Sequence, residues 1–169
     1  SAAAAPSLAN VKQAELIGGG SANTFDLSGW DGVATVNGSS GTDTVLASSD
    51  ADFVLSDSLL TMSTGGVIVL NDIQQASLTG GGSDRSFTVS SWTRSATLDG
   101  GGGKDTVISA NDTNFVLSDS SLTTAGGAFG TFALIRVNSA LLTGGSSDNS
   151  LDARGFSGVA SLKGGGGND

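Results

Sequence analysis

Carboxylates are almost the only side chains in this sequence from which chemistry could be built. The 169 residues carry sixteen acids, of which only Glu15 is a glutamate, and no His, Cys or Tyr. Two arrangements of acids stand out. In the first, an aspartate closes a glycine-rich run: Gly38-Ser-Ser-Gly41-Thr-Asp43, Gly100-Gly101-Gly-Gly103-Lys-Asp105 and Gly164-Gly-Gly-Gly-Asn-Asp169. Carboxylate and backbone carbonyl oxygens are hard donors, so the chemistry to ask about there is cation binding. The competing role is local, an Asx-type hydrogen bond from each carboxylate to a backbone amide that closes the turn. In the second arrangement Asp50 and Asp52 stand close enough in sequence to suggest the carboxylate pair of a glycosidase.

The second arrangement is weak as catalysis. The later copy of that segment keeps Asp112 and replaces its partner with Asn114, and no histidine, cysteine or tyrosine is available as a general base or nucleophile. The sequence therefore reads as a protein without catalysis, a carbohydrate-active enzyme being the distant alternative. Gly100 to Gly103 is no phosphate loop, since no Gly-Lys-(Ser/Thr) followed by a helix occurs. A net charge of −9 repels a phosphate backbone and argues against nucleic acid. No apolar run reaches the roughly 20 residues that span a bilayer as a helix.

The elements that position the acids follow from internal repetition. The pattern Ala-x-(Leu/Val)-x-Gly begins at Ala14, Ala34, Ala76, Ala96, Ala140 and Ala160, and the copies in each pair lie 20 residues apart. Residues 14–75 match 76–139, and 140–169 repeat the first half once more. Two places into each pattern stand Leu16, Val36, Leu78, Leu98, Leu142 and Leu162, followed by Ile17, Asn37, Thr79, Asp99, Thr143 and Lys163. Period-two alternation turns the first set inward and the second outward. Phe25, Val45, Phe87, Val107 and Leu151, seven places after the glycine, make a second inward column, and Trp30, Trp92 and Phe156 fill a corner of the core.

Aligning Phe53-x-Leu55-x-Asp57 with the same pattern gives each long repeat a third turn. The expected fold is then all-β, a right-handed parallel β-helix or β-roll of about eight coils of roughly 20 residues, in two and a half repeats of roughly 62. Residues 14–169 form one domain and residues 1–13 an N-terminal linker or capping segment, and 8–17 is the one stretch of the chain with a helical reading.

Gly100-Gly-Gly-Gly-Lys-Asp105-Thr-Val-Ile108 satisfies the nonapeptide Gly-Gly-x-Gly-x-Asp-x-U-x. The chain thus resembles the RTX, or hemolysin-type calcium-binding, repeats and the repeat regions of large bacterial adhesins and surface-layer proteins. The resemblance implies calcium held by Asp43, Asp105 and Asp169 with the backbone of Gly38, Gly41, Gly100, Gly101 and Gly103. The alternate turns depart from it, with Asn23, Arg85 and Asn149 at the aspartate place. It also implies a secreted protein at a bacterial cell surface. Combined with the acidic, cysteine-free composition, the reading is a structural or adhesive module, with a calcium-dependent adhesin as the alternative. Its expected partners are further copies joined end to end or neighbouring repeats of a longer chain, with surface glycans as a further class.

Overall fold

The computed structural model of the protein describes residues 10–125 and 129–169. The first repeat supplies β1 (Gln13–Ile17), β2 (Thr24–Asp26), β3 (Val33–Asn37), β4 (Thr44–Ser48), β5 (Phe53–Ser56), β6 (Leu59–Met62) and β7 (Val67–Asn71). The second supplies β8 (Gln75–Thr79), β9 (Ser86–Ser91), β10 (Ser95–Asp99), β11 (Asp105–Ala110), β12 (Phe115–Ser118), β13 (Ser121–Thr124) and β14 (Phe132–Ile135). The third adds β15 (Val137–Thr143), β16 (Leu151–Gly155) and β17 (Val159–Lys163).

The all-β expectation agrees with these elements; the right-handed parallel β-helix of about eight coils does not. The strands form two mixed sheets. One has nine strands in the order β1-β3-β7-β6-β5-β9-β11-β15-β17, the other eight in the order β16-β12-β13-β14-β10-β8-β4-β2. Most neighbours are parallel, but β6 runs antiparallel to β5 and β7, and β13 antiparallel to β12 and β14. The physical reason lies at Asp57. Between Ser56 and Leu59 stand only Asp57 and Ser58, so the chain reverses in a two-residue hairpin and never crosses to the other sheet. Asp119 and Ser120 do the same in the second repeat.

This hairpin changes which wall each repeat occupies. The first repeat visits the nine-stranded sheet with β1, β3 and then β5–β7 together, and the eight-stranded sheet with β2 and β4. The number of visits is odd, so the second repeat starts on the opposite sheet. Ala14, Ala34, Ala140 and Ala160 therefore lie in the nine-stranded sheet and Ala76 and Ala96 in the other, where Phe25, Val45, Ala76, Ala96 and Phe132 form one ladder. The single alanine column expected from sequence is divided between two walls.

The alternation itself survives this rearrangement. Val36, Leu78, Leu98 and Leu142 are fully buried between the sheets, and Leu16 is half-buried, while Leu162 on the edge strand β17 is 41% exposed. Trp92 is buried, and Trp30 and Phe156 pack half-buried against the same core. No helix occurs among the described residues. The helical reading of 8–17 is corrected over Gln13–Ile17, where Ala14 and Leu16 pair with Ala34 and Val36 in parallel register. Long-range pairing with β3 outweighs the marginal stability of so short a helix. Residues 8 and 9, like the rest of 1–9, lie outside the described residues.

Phe53 and Phe87 tie the first hairpin to the second repeat: both are fully buried, their rings stacked with centroids 5.4 Å apart and planes 4° from parallel. Phe87→Ala should lower stability by about 3–5 kcal/mol. Urea unfolding would show this as a lower midpoint at unchanged slope, whereas Val54→Ala, on the exposed side of the same hairpin, should shift the midpoint little.

Candidate functional site: the stacked glycine turns

The glycine-rich turns lie one above another where the chain passes between the sheets, and two kinds alternate. In the aspartate-closed turns the second and fourth positions have left-handed backbone: Ser39 (φ 67°) and Gly41 (φ 118°), Gly101 (φ 81°) and Gly103 (φ 90°), Gly165 (φ 109°) and Gly167 (φ 101°). No described residue of the intervening turns 18–23, 80–85 and 144–149 has a positive φ. Asn23 and Asn149 close their own turns, each accepting a bond from the amide four residues earlier, Gly19 and Gly145. That is the work of the asparagine at the place where the metal pattern asks for aspartate.

Asp43 and Asp105 are fully buried, and their carboxylates reach across to the neighbouring turn. Asp43 Oδ1 accepts the Asn23 amide at 2.7 Å and Asp105 Oδ1 the Arg85 amide at 2.9 Å; Asp169, which is exposed, accepts the Asn149 amide at 2.8 Å. The local Asx bond expected from sequence is thus replaced by one spanning 20 residues. A second carboxylate staples the turns in the opposite sense: Asp84 accepts the Lys104 amide and Asp148 the Asn168 amide. Sequence reasoning passed over Asp84 and Asp148, although they share one place in successive repeats.

The other oxygen of each buried carboxylate, Asp43 Oδ2 and Asp105 Oδ2, has no hydrogen-bond partner. It lies against glycine. A methyl group at Gly100 would sit 2.4 Å from both Asp105 Oδ2 and the Arg136 carbonyl oxygen, and one at Gly38 would meet Asp43 Oδ2 and the Asp72 carbonyl in the same way. Asp72 (φ 52°) and Arg136 (φ 53°) take left-handed conformations to present those carbonyls. Burial away from water pushes the Asp105 carboxyl above the usual carboxylate range.

Beside the unpartnered oxygens of Asp43 and Asp105 lie the carbonyls of Asp72 and Arg136, and calcium takes six to eight oxygens. No group of three or more acidic, His or Cys side chains placed to hold a metal occurs among the described residues. Gly41, Gly101 and Gly103 lie in close backbone contact with the neighbouring turn: the Gly102 amide donates to Gly81 O at 2.7 Å, and methyl groups at Gly41 and Gly103 would strike the backbone of the turn beneath.

The remaining acids are committed in the same manner. Asp50 accepts the Ser83 hydroxyl and the Arg85 guanidinium at 2.8 Å, which draws the Arg85 charge away from Asp105. Asp52 accepts the Ser86 amide, so the carboxylates of the suggested glycosidase pair each face an adjoining turn. Asp112 accepts from Ser146, Ser147 and Asn149, while the hairpin aspartates Asp57 and Asp119 accept the Thr93 and Ser157 amides. Arg85 beside Asp50, followed by Ser83, holds that carboxyl down to about 2; the Ser147 amide and hydroxyl hold Asp112 at about 2.

No protein-family model matches the chain, and no curated protein does. The geometry is therefore what speaks to role: the carboxylates of these turns act as hydrogen-bond acceptors that fix one turn upon the next.

Two predictions follow from the geometry. Ser39 holds a conformation that costs an L-residue about 1–2 kcal/mol, and Ser39→Gly removes that cost while losing the hydroxyl bond to Gly18 O. Thermal unfolding should show a gain of up to about 1 kcal/mol, whereas Gly101→Ala, strained in φ and 2.4 Å from Gly81 O, should lose about 1–3 kcal/mol. The second concerns acid. Asp50 and Asp112 titrate lower in the folded than in the unfolded chain, so their stabilisation is present above the ordinary carboxylate range and is lost as pH falls through about 2. Asp105 works oppositely, its contribution being fully present below the unfolded value and lost as pH rises through its raised folded one. Unfolding midpoints measured across the acid range should fall less steeply toward low pH in Asp50→Asn and Asp112→Asn, and Asp105→Asn should gain relative to the parent as pH rises.

Proposed function

We propose that this protein is a structural or adhesive module of the bacterial cell exterior, not an enzyme, and that it associates with further copies of itself through the edges of its two sheets. One observation supports this most: the acids from which chemistry could be built are hydrogen-bonded within the fold, while the two most exposed large apolar side chains stand on edge strands. Ile17 on β1 is 66% exposed and Val159 on β17 is 73% exposed. Unpaired edges with apolar side chains are templates for further strands. The cysteine-free composition and net charge of −9 suit a secreted, soluble surface component. No helix among the described residues is long and apolar enough to cross a membrane.

The calcium-dependent alternative draws on the unpartnered Oδ2 atoms of Asp43 and Asp105, together with the resemblance of Gly100 to Ile108 to RTX repeats. Sedimentation velocity over a range of concentrations, with and without millimolar calcium, separates the readings. Reversible association that grows with concentration and is indifferent to calcium is the expected result. A monomer at every concentration removes the self-association reading, and a calcium-dependent rise in melting temperature favours the alternative, because a ligand specific to the folded state must stabilise it.

A further inference from the structure

The two sheets differ in what they turn to the outside. On the nine-stranded sheet one outward row runs from Val33 on β3 through Val67, Val54 and Ile108 to Leu141 on β15, its two remaining members being threonines. The alternate residues Ala34, Ile68, Phe53 and Val107 are buried, which fixes the direction of this row. Val33 is 48% exposed and Val54 49%. In the next row Val69 stands opposite Leu59 and widens the apolar surface across β6 and β7.

This face is also free of charge. No side chain that the strands from β3 to β15 turn outward is ionised, although the chain carries a net charge of −9. Charge begins only on the outermost strands, with Glu15 on β1 and Lys163 on β17. The eight-stranded sheet is different. It turns out Thr44, Gln75, Ser95 and Thr97 with the carboxylates of Asp26 and Asp99 among them, and its apolar Leu46, Val116 and Ile135 stand apart from one another.

We propose that the outer face of the nine-stranded sheet is a docking surface for a second copy of this chain, packed sheet upon sheet about a two-fold axis parallel to β5. Two copies of so acidic a chain repel each other wherever carboxylates meet, and this face lets them approach without that repulsion. β5 is the middle strand of the nine, so the axis sets Val54 against the same residue of the second copy and each Glu15 against a Lys163. Outward side chains of two such sheets interdigitate at a separation of about 10 Å. Seven strands of about five residues cover about 550 Å2 on each copy, or about 1,100 Å2 in total, which suits a weak, reversible dimer. An isologous contact of this kind closes at two copies, unlike association through the sheet edges, on which it does not depend.

The double variant Ile17→Lys, Val159→Lys charges the sheet edges and leaves the face intact. In sedimentation velocity up to about 1 mM it should form a reversible dimer and nothing larger. Adding Val54→Lys or Val54→Glu should weaken that dimer at least about tenfold by placing like charges on the axis. Circular dichroism checks that each variant folds. An equimolar mixture of the lysine and glutamate variants should recover the dimer, because unlike charges then meet on the axis, a rescue that no folding defect would show. The proposal is overturned if the edge-charged variant stays monomeric even where the parent associates, if Val54→Lys leaves the dimer as tight as before, or if the mixture remains monomeric. Flotation of a monomeric edge-charged variant with phosphatidylcholine vesicles assigns the face to a lipid surface and excludes the second copy.

Discussion

The hydrogen bond from a buried aspartate to the backbone amide of the neighbouring turn is the constraint on which the rest of this structure depends. Asp43 and Asp105 are fully buried, and an unpaired carboxylate in such a place is strongly unfavourable. One oxygen is satisfied by an amide 20 residues away; the other is pressed against a glycine that can hold no side chain. The glycine, the aspartate and the left-handed carbonyl-bearing residue beyond, Asp72 or Arg136, form one unit. Substituting any of them disturbs the other two, which is why the turns tolerate Ser39 at a strained position more readily than they would tolerate a side chain at Gly38 or Gly100.

With the turns fixed, the sheets have little freedom in register. A turn that stacks on its neighbour holds the following strands in line, and inward leucines and valines then meet between the sheets. The two-residue hairpins interrupt this progression without breaking it, because three strands on one wall return the chain to the same direction of travel. Their consequence is an exchange of walls from one repeat to the next, which places the alanine-bearing strands of one repeat beside the phenylalanine- and valine-bearing strands of another. Each ladder therefore joins large side chains to small ones, as in Phe25, Val45, Ala76, Ala96 and Phe132, and a column of alanines alone would have left the core underfilled.

Charge is arranged by the same rule. Asp50, Asp52, Asp57, Asp112 and Asp119 lie at corners and accept amides or hydroxyls from an adjoining turn, so that a strongly acidic chain keeps its carboxylates as structural acceptors. Arg85 and Arg136 pair with Asp50 and Asp99 on the surface, where such pairs add little to stability. The acids therefore set turn geometry as well as the net charge of −9.

Much of this was legible in the residues themselves. Alternation at Val36, Leu78, Leu98 and Leu142 determined which side chains face inward, the spacing of the alanine pattern determined the repeats, and glycine with aspartate marked the turns, because each of these is a property of a strand or turn taken locally. Only the tertiary structure decided that Asp57 sits in a hairpin, that Ala76 and Ala96 lie on the opposite wall from Ala14 and Ala34, and that Asp43 serves the amide of Asn23. Whether the chain crosses to the facing sheet or doubles back along the same one depends on which strand lies alongside to accept its backbone bonds. That neighbour comes from a distant part of the sequence, and no local pattern names it.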